Sequence, residues 1–275
     1  MTTTTSSLSA PTDPASPPSD GGVRISLRIL AVGLSLLGVG WGALTVASLL
    51  ARATEHRSAT YQGVRSLDLD LAFESVQVVG AANATSVTMT RSLTWSLSKP
   101  SIGQRQEGDR LVITSSGCSF NPGLGCSGKV QLVVPAGITV RVRTGNSGLT
   151  LRDLTGDIDA ATSNGSVSAA NLAGQVNLSS SNGPIDASAL RSERVDARTS
   201  NGSVRLSFDV APTAATAGSS NGSVEVLVPR GGPPYRVIAK TSNGFRDVAV
   251  PTDPSSLRTI EAHTSNGSVR VLERP

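Results

Sequence analysis

The chain has 275 residues, a formal net charge of +4, and only 3% aromatic residues. That length allows one or two domains. The weak charge, with no basic run interleaved with aromatics, argues against a nucleic-acid partner, and any core must be built from small aliphatic side chains.

Residues 1–28 open with "MTTTTSSLSAPTDPASPPSDGGV", which is rich in Thr, Ser and Pro. It has too little apolar content to order and is expected to be a disordered cytoplasmic tail. Residues 29–51, "ILAVGLSLLGVGWGALTVASLLA", run 23 residues without a charge. At 1.5 Å per residue such a helix reaches about 34 Å, enough for a bilayer core of about 30 Å. One transmembrane helix is therefore expected. A cleaved signal peptide is the alternative, because Ala51-Arg52-Ala53 has the small-x-small form of a cleavage site. The long polar tail and the long apolar run favour an anchor. Arg24 and Arg28 on one side balance Arg52 and Arg57 on the other, so charge does not set the orientation.

Residues 52–63 read as a spacer. Over 64–135 the runs "SLDLDLA", "SVTMT", "RLVIT" and "KVQLVVP" alternate with period two, the pattern of half-buried strands. The only cysteines, Cys118 and Cys126, lie in the loop "GCSFNPGLGCSG". Two cysteines do not make a structural zinc site, and His56 and His263 are far away in sequence. A disulfide closing this irregular part is the better reading. It implies an oxidising compartment, with the tail inside and the large domain outside.

From residue 136 to residue 275 one corner recurs. Asn164-Gly165, Asn182-Gly183, Asn201-Gly202, Asn221-Gly222, Asn243-Gly244 and Asn266-Gly267 each follow Ser, and the asparagines are separated by 18, 19, 20, 22 and 23 residues. A degenerate copy, "TGNSGLTL", places Asn146 another 18 residues upstream. Such periodicity marks a repeat architecture. Both residues of Asn-Gly reach left-handed conformations at low cost, and the pair is a strong hairpin signal. Hairpins in a sandwich and coils of a solenoid therefore compete. The near-identical corners favour coils, whose like side chains stack about 4.8 Å apart. The expectation is an all-β, repetitive β-solenoid (β-helix-like) ectodomain behind one N-terminal transmembrane α-helix. Ala160, Ala169, Ala187 and Ala197 are placed in a thin core. The turn opposite the corner grows from "NLAGQ" to "PRGGPPYR", so that edge is the better place for binding.

The sequence offers little chemistry. "NGS" at four corners, "NAT" at Asn83 and "NLS" at Asn177 match a glycan acceptor but read as turn chemistry. Asp157, Asp159, Asp186 and Asp196 do not recur at one repeat position, as calcium-binding repeats require. No nucleophile elbow, zinc-protease motif or phosphate loop appears. His263 reads as a solvated residue. The hydroxyls before each corner (Thr144, Thr162, Ser180, Thr199, Ser219, Thr241, Thr264) read as a ladder bonding backbone, against a flat ligand-matching face. No catalytic residue, metal site or cofactor is expected.

The stretch "VPAGITVRVRTGNSGLTLRDLTGDIDAATSNGSVSAANLAG" at Val134–Gly174, continued by "RVDARTSNGSVRL", resembles the DUF4097 family of β-strand-repeat proteins, which are labelled candidate adhesins. The cysteine pair before a Val-Pro-x-Gly strand end looks like actinobacterial members. The resemblance covers about residues 64–273, although many members carry Gly-Asp where this chain has Ser-Asn-Gly. It implies a membrane-anchored surface β-solenoid, sometimes linked to envelope stress, and supplies no catalytic residues. The expected function is a non-enzymatic interaction or scaffold module at a bacterial cell envelope. Its expected partners are the cytoplasmic membrane through residues 29–51 and a cell-wall polymer or membrane protein. A carbohydrate-active β-helix enzyme and a dedicated wall-polymer binder are the alternatives.

Overall fold

The computed structural model describes residues 21–50, 52–96, 98–117 and 126–274. The chain divides into two units, Met1–Ala47 and Ser48–Pro275. Helix α1 covers Gly21–Leu50, beginning before the expected apolar run. Its described side chains from Leu30 to Ala43 are exposed. Among the described residues no helix is long and apolar enough to cross a membrane. The expected span 29–51 lies only partly among the described side chains, and residues 1–20 of the expected tail lie outside them.

The second unit is all β. Its first strands are β1 (Ala53–Gln62), β2 (Ser66–Leu71), β3 (Glu74–Ala81), β4 (Ser86–Trp95), β5 (Ile102–Glu107), β6 (Arg110–Ser115) and β7 (Ser127–Pro135). Pairs of strands joined by a corner follow. They are β8 (Thr139–Thr144) with β9 (Leu149–Leu154), β10 (Ile158–Thr162) with β11 (Val167–Leu172), and β12 (Val176–Ser180) with β13 (Ile185–Leu190). Next come β14 (Arg194–Thr199) with β15 (Val204–Phe208), and β16 (Ala214–Asn221) with β17 (Val224–Val228). The last are β18 (Arg236–Asn243) with β19 (Arg246–Ala249), and β20 (Thr259–Asn266) with β21 (Val269–Glu273).

The strands form two large mixed sheets. The 11-stranded sheet runs β1-β4-β7-β3-β9-β11-β13-β15-β17-β21-β19, and the 10-stranded sheet runs β18-β20-β16-β14-β12-β10-β8-β2-β6-β5. The hairpin alternative does not occur at the corners: β10 pairs in parallel with β8 and β12, one repeat away on either side, and not with β11. Each corner carries the chain from one sheet to the other. Inward positions therefore alternate along every strand, and Ala160, Ala169, Ala187 and Ala197 are all buried, in register with Leu, Val or another Ala of the neighbouring coils. Small side chains suit this space because the two sheets close on each other within each short repeat.

Two features depart from the expected layout. Residues 53–62, read as a spacer, form β1, which pairs antiparallel with β4; Ala59 and Tyr61 pack against the core. The stretch 64–135 is more regular than its sequence indicates. β2 and β3 stack in parallel on β8 and β9, with β6 and β7 on their far side. Only β1, β4 and β5 introduce antiparallel pairing.

Stack order also differs from chain order at the C-terminal end. β20 and β21 lie between the β16/β17 coil and the β18/β19 coil, so β18 and β19 are the outer edges. The chain must step over one position, about 9.6 Å at the usual strand spacing, and then return by a single spacing, about 4.8 Å. The two longest connections between the coils that follow β8, 229–235 and 250–258, are those that make this step. Their length is thus a topological need as well as room for variation.

Candidate functional site

The corners come first, because they carry most of the residues singled out in the sequence. Asn146, Asn164, Asn182, Asn201, Asn221, Asn266 and Asn243 stack in this spatial order. The side-chain N–H of each successive residue donates to Oδ1 of the one before, at 2.6, 2.6, 2.8, 2.9, 2.8 and 2.8 Å. The ladder follows the stack and not the chain. Two residues before each of these asparagines from Asn164 on runs a hydroxyl row: Thr162, Ser180, Thr199, Ser219, Thr264 and Thr241 each donate to a corner carbonyl of the preceding coil. All but Thr241 are buried, so the ligand-matching face is ruled out for them.

The reason for Asn-Gly differs from the expected one at most corners; among the described corner residues only the glycines Gly267 (φ 150°) and Gly244 (φ 157°) take a positive φ. Among the described residues the non-glycine positive φ values are at Asp153 (57°), Asn171 (53°) and Ala189 (51°), each next to last in a strand that leads to the opposite turn, and none is at a corner asparagine. Asparagine is required for its side chain. Glycine is required for space: a Cβ on Gly165 would overlap the Ser147 carbonyl, and one on Gly183 the Gly165 carbonyl. Gly202, Gly222, Gly267 and Gly244 meet the neighbouring corner in the same way. The corners are therefore spent on holding coils together. Cys126 is not a free thiol, while Cys118, its expected partner, lies outside the described residues.

Charged and polar side chains gather elsewhere, on the outer face of the 10-stranded sheet where its strands emerge from the turns opposite the corners. A groove of about 500 Å³ is lined by Ser66, Asp68, Arg110, Arg141, Asp159 and Asn177 together with Asp157 and Gln175. The parallel register aligns Asp68 with Arg141, Arg141 with Asp159, and Asp159 with Asn177. Alternation along each strand points them to one face.

Every carboxylate in the groove already has a partner. Arg110 donates to Asp68, which raises the arginine's pKa chiefly through that hydrogen bond. Arg141 donates to Asp159 at 3.0 Å. The Gln175 backbone N–H donates to Asp157 at 2.9 Å. Two arginines against three aspartates leave the groove close to neutral, and none of its lining residues is aromatic. Further along the same row burial pushes the Asp196 carboxyl above its ordinary pKa, against the pull of Arg198. Among the described residues no group of three or more His, Cys, Asp or Glu could hold a metal ion.

These groove residues were not found in the sequence as a site. The signal was present nonetheless: Arg141, Asp159 and Asn177 are each one 18-residue repeat apart, the interval already visible in the corners.

No family model matches the chain, and no curated protein matches it in sequence. Solved structures do. A candidate cell adhesion protein from Clostridium sporogenes matches 81% of this chain and 100% of its own, at 12% identity and a TM-score of 0.35. A candidate adhesin from Bacteroides fragilis matches 81% and 97%, at 13% identity and a TM-score of 0.46. A third, from Parabacteroides merdae, matches 80% and 96%, at 12% identity and a TM-score of 0.29.

Proposed function

We propose that the chain is a membrane-anchored, extracytoplasmic β-solenoid of the DUF4097 type. It acts as a non-enzymatic, adhesin-like module that holds a polyhydroxylated envelope polymer on the outer face of its 10-stranded sheet. The observation that carries this reading is the in-register row Asp68–Arg141–Asp159–Asn177. It sets planar polar groups about 4.8 Å apart along the stack, a spacing close to that of successive sugar rings in an extended glycan. The nearly neutral groove favours hydroxyl-rich partners over strongly anionic ones. Without an aromatic platform each contact is weak, and firm attachment comes from many molecules anchored in one surface. Three aspartates in one groove also fit a carbohydrate-active enzyme. That reading needs a carboxyl group free to move a proton, whereas here each is bonded to an arginine or a backbone N–H.

A photo-crosslinking residue placed at Gln175 in cells making the full chain tests the proposal. Glycan-bearing adducts from Gln175, and none from the corner position Asn182, are expected. Adducts at both positions, or at neither, would contradict it.

A further inference from the structure

The asparagine ladder has two ends, and one of them falls on an Asn-Gly pair. We propose that Asn243-Gly244 is a site of spontaneous backbone modification, at which the folded protein deamidates while its other Asn-Gly corners are protected. The chemistry needs no cofactor. The Gly244 backbone nitrogen attacks Cγ of Asn243, ammonia leaves with the side-chain nitrogen, and a five-membered succinimide forms. Water then opens the ring to aspartate or isoaspartate. The absence of a side chain on the following residue favours ring closure, and six Asn-Gly pairs meet that condition.

The fold separates the six. Ring closure requires the asparagine side chain to swing out of the ladder and the glycine nitrogen to reach it. Asn164, Asn182, Asn201, Asn221 and Asn266 are each gripped on both sides, donating to one neighbour and accepting from the other. Several corner glycine amides are also occupied. Gly165 and Gly183 donate to Thr162 and Ser180 at 3.0 and 2.8 Å. Gly222 and Gly267 donate to the Asn266 and Asn243 carbonyls of the adjacent coil, at 3.0 and 2.9 Å. Asn243 is gripped on one side only, through its donation to Asn266. It sits on β18, the edge strand, so among the described residues no coil lies beyond it to receive the Gly244 amide or to bond the Asn243 Oδ1. Edge elements of this kind also open locally more often than the interior of a stack. Asn146, at the other end of the ladder, is followed by Ser147, not glycine.

The product changes the ladder. An aspartate at position 243 has no N–H to donate to Asn266 Oδ1, and an isoaspartate also lengthens the backbone at the corner. Either loosens the β18/β19 coil.

The test is prolonged incubation of the full chain at mildly alkaline pH, followed by peptide mapping for the mass gain of amide-to-acid conversion at each corner. The chain unfolded in urea is the reference. In the folded protein Asn243 is expected to convert about tenfold faster than any of the other five, the factor that loss of one ladder bond's grip corresponds to. In urea the six are expected to convert at similar rates. Equal rates at all six corners of the folded protein, faster conversion at Asn201, or no conversion at Asn243 would each overturn the proposal.

Discussion

Thr144 and Thr199 hold the same place in two coils, and one difference separates them. Thr199 donates to the Gly183 carbonyl at 2.9 Å, whereas Thr144 Oγ1 is buried with no partner. A buried hydroxyl without a partner costs about 1–3 kcal/mol, while a satisfied one contributes about 1. Thr144→Val is therefore expected to leave stability unchanged or raise it by about 1 kcal/mol, and Thr199→Val to lower it by a similar amount. Thermal unfolding of the two variants measures the contrast; equal destabilisation would show that the row does not work as described. At this scale the sequence was informative about position and poor about cause. Three letters, Ser-Asn-Gly, repeated six times located the corners, but the demand on Gly183 comes from a carbonyl one coil away, and no local rule on turn conformation contains that contact. The groove was hidden for the same reason. Asp68 and Arg110 are bonded across 42 residues of chain, and only the parallel register brings Arg141 beside both aspartates.

Strand order at the C-terminal end has an electrostatic logic. On the outer face of the 11-stranded sheet Asp186, Arg205, Glu225, Arg270 and Asp247 stand in one row and alternate in sign. Arg205 and Glu225 are paired at 2.7 Å. Had the coils stacked in chain order, Glu225 would face Asp247, and like charges directly opposite destabilise a sheet. Inserting β21 places Arg270 between them, and Arg270 also lies over the exposed Phe245 ring, 5.1 Å from its centre. The insertion leaves β19 as a bare parallel edge. At the inward register position held by the buried Val204, Val224 and Val269, that edge carries Arg246. An inward-pointing charge on an edge strand opposes edge-to-edge association. Arg246→Val is expected to promote self-association, read as a concentration-dependent rise in mass by light scattering. A variant that stays as monodisperse as the parent would remove this role from Arg246. The sequence shows strands here with the right alternation, but not their order, because an 18-to-23-residue spacing is the same whichever neighbour a coil chooses.

Across the whole β unit, corner and groove divide the labour. One edge is closed by ladders that consume their own donors and acceptors. The opposite edge feeds a face whose charges are paired laterally, leaving the remaining lone pairs and N–H groups directed outward. Such a surface suits many shallow polar contacts. Under the proposed function the conspicuous repeat is architecture and binding belongs to the groove, with firm attachment coming from many molecules together. Co-sedimentation of the β unit, residues 52–275, with purified envelope glycan tests it most directly, using Arg141→Ser and Asn201→Ser in parallel with both variants shown to be folded. Loss of binding in Arg141→Ser with retention in Asn201→Ser is the predicted result. Loss in Asn201→Ser with retention in Arg141→Ser would contradict it and return the function to the corners.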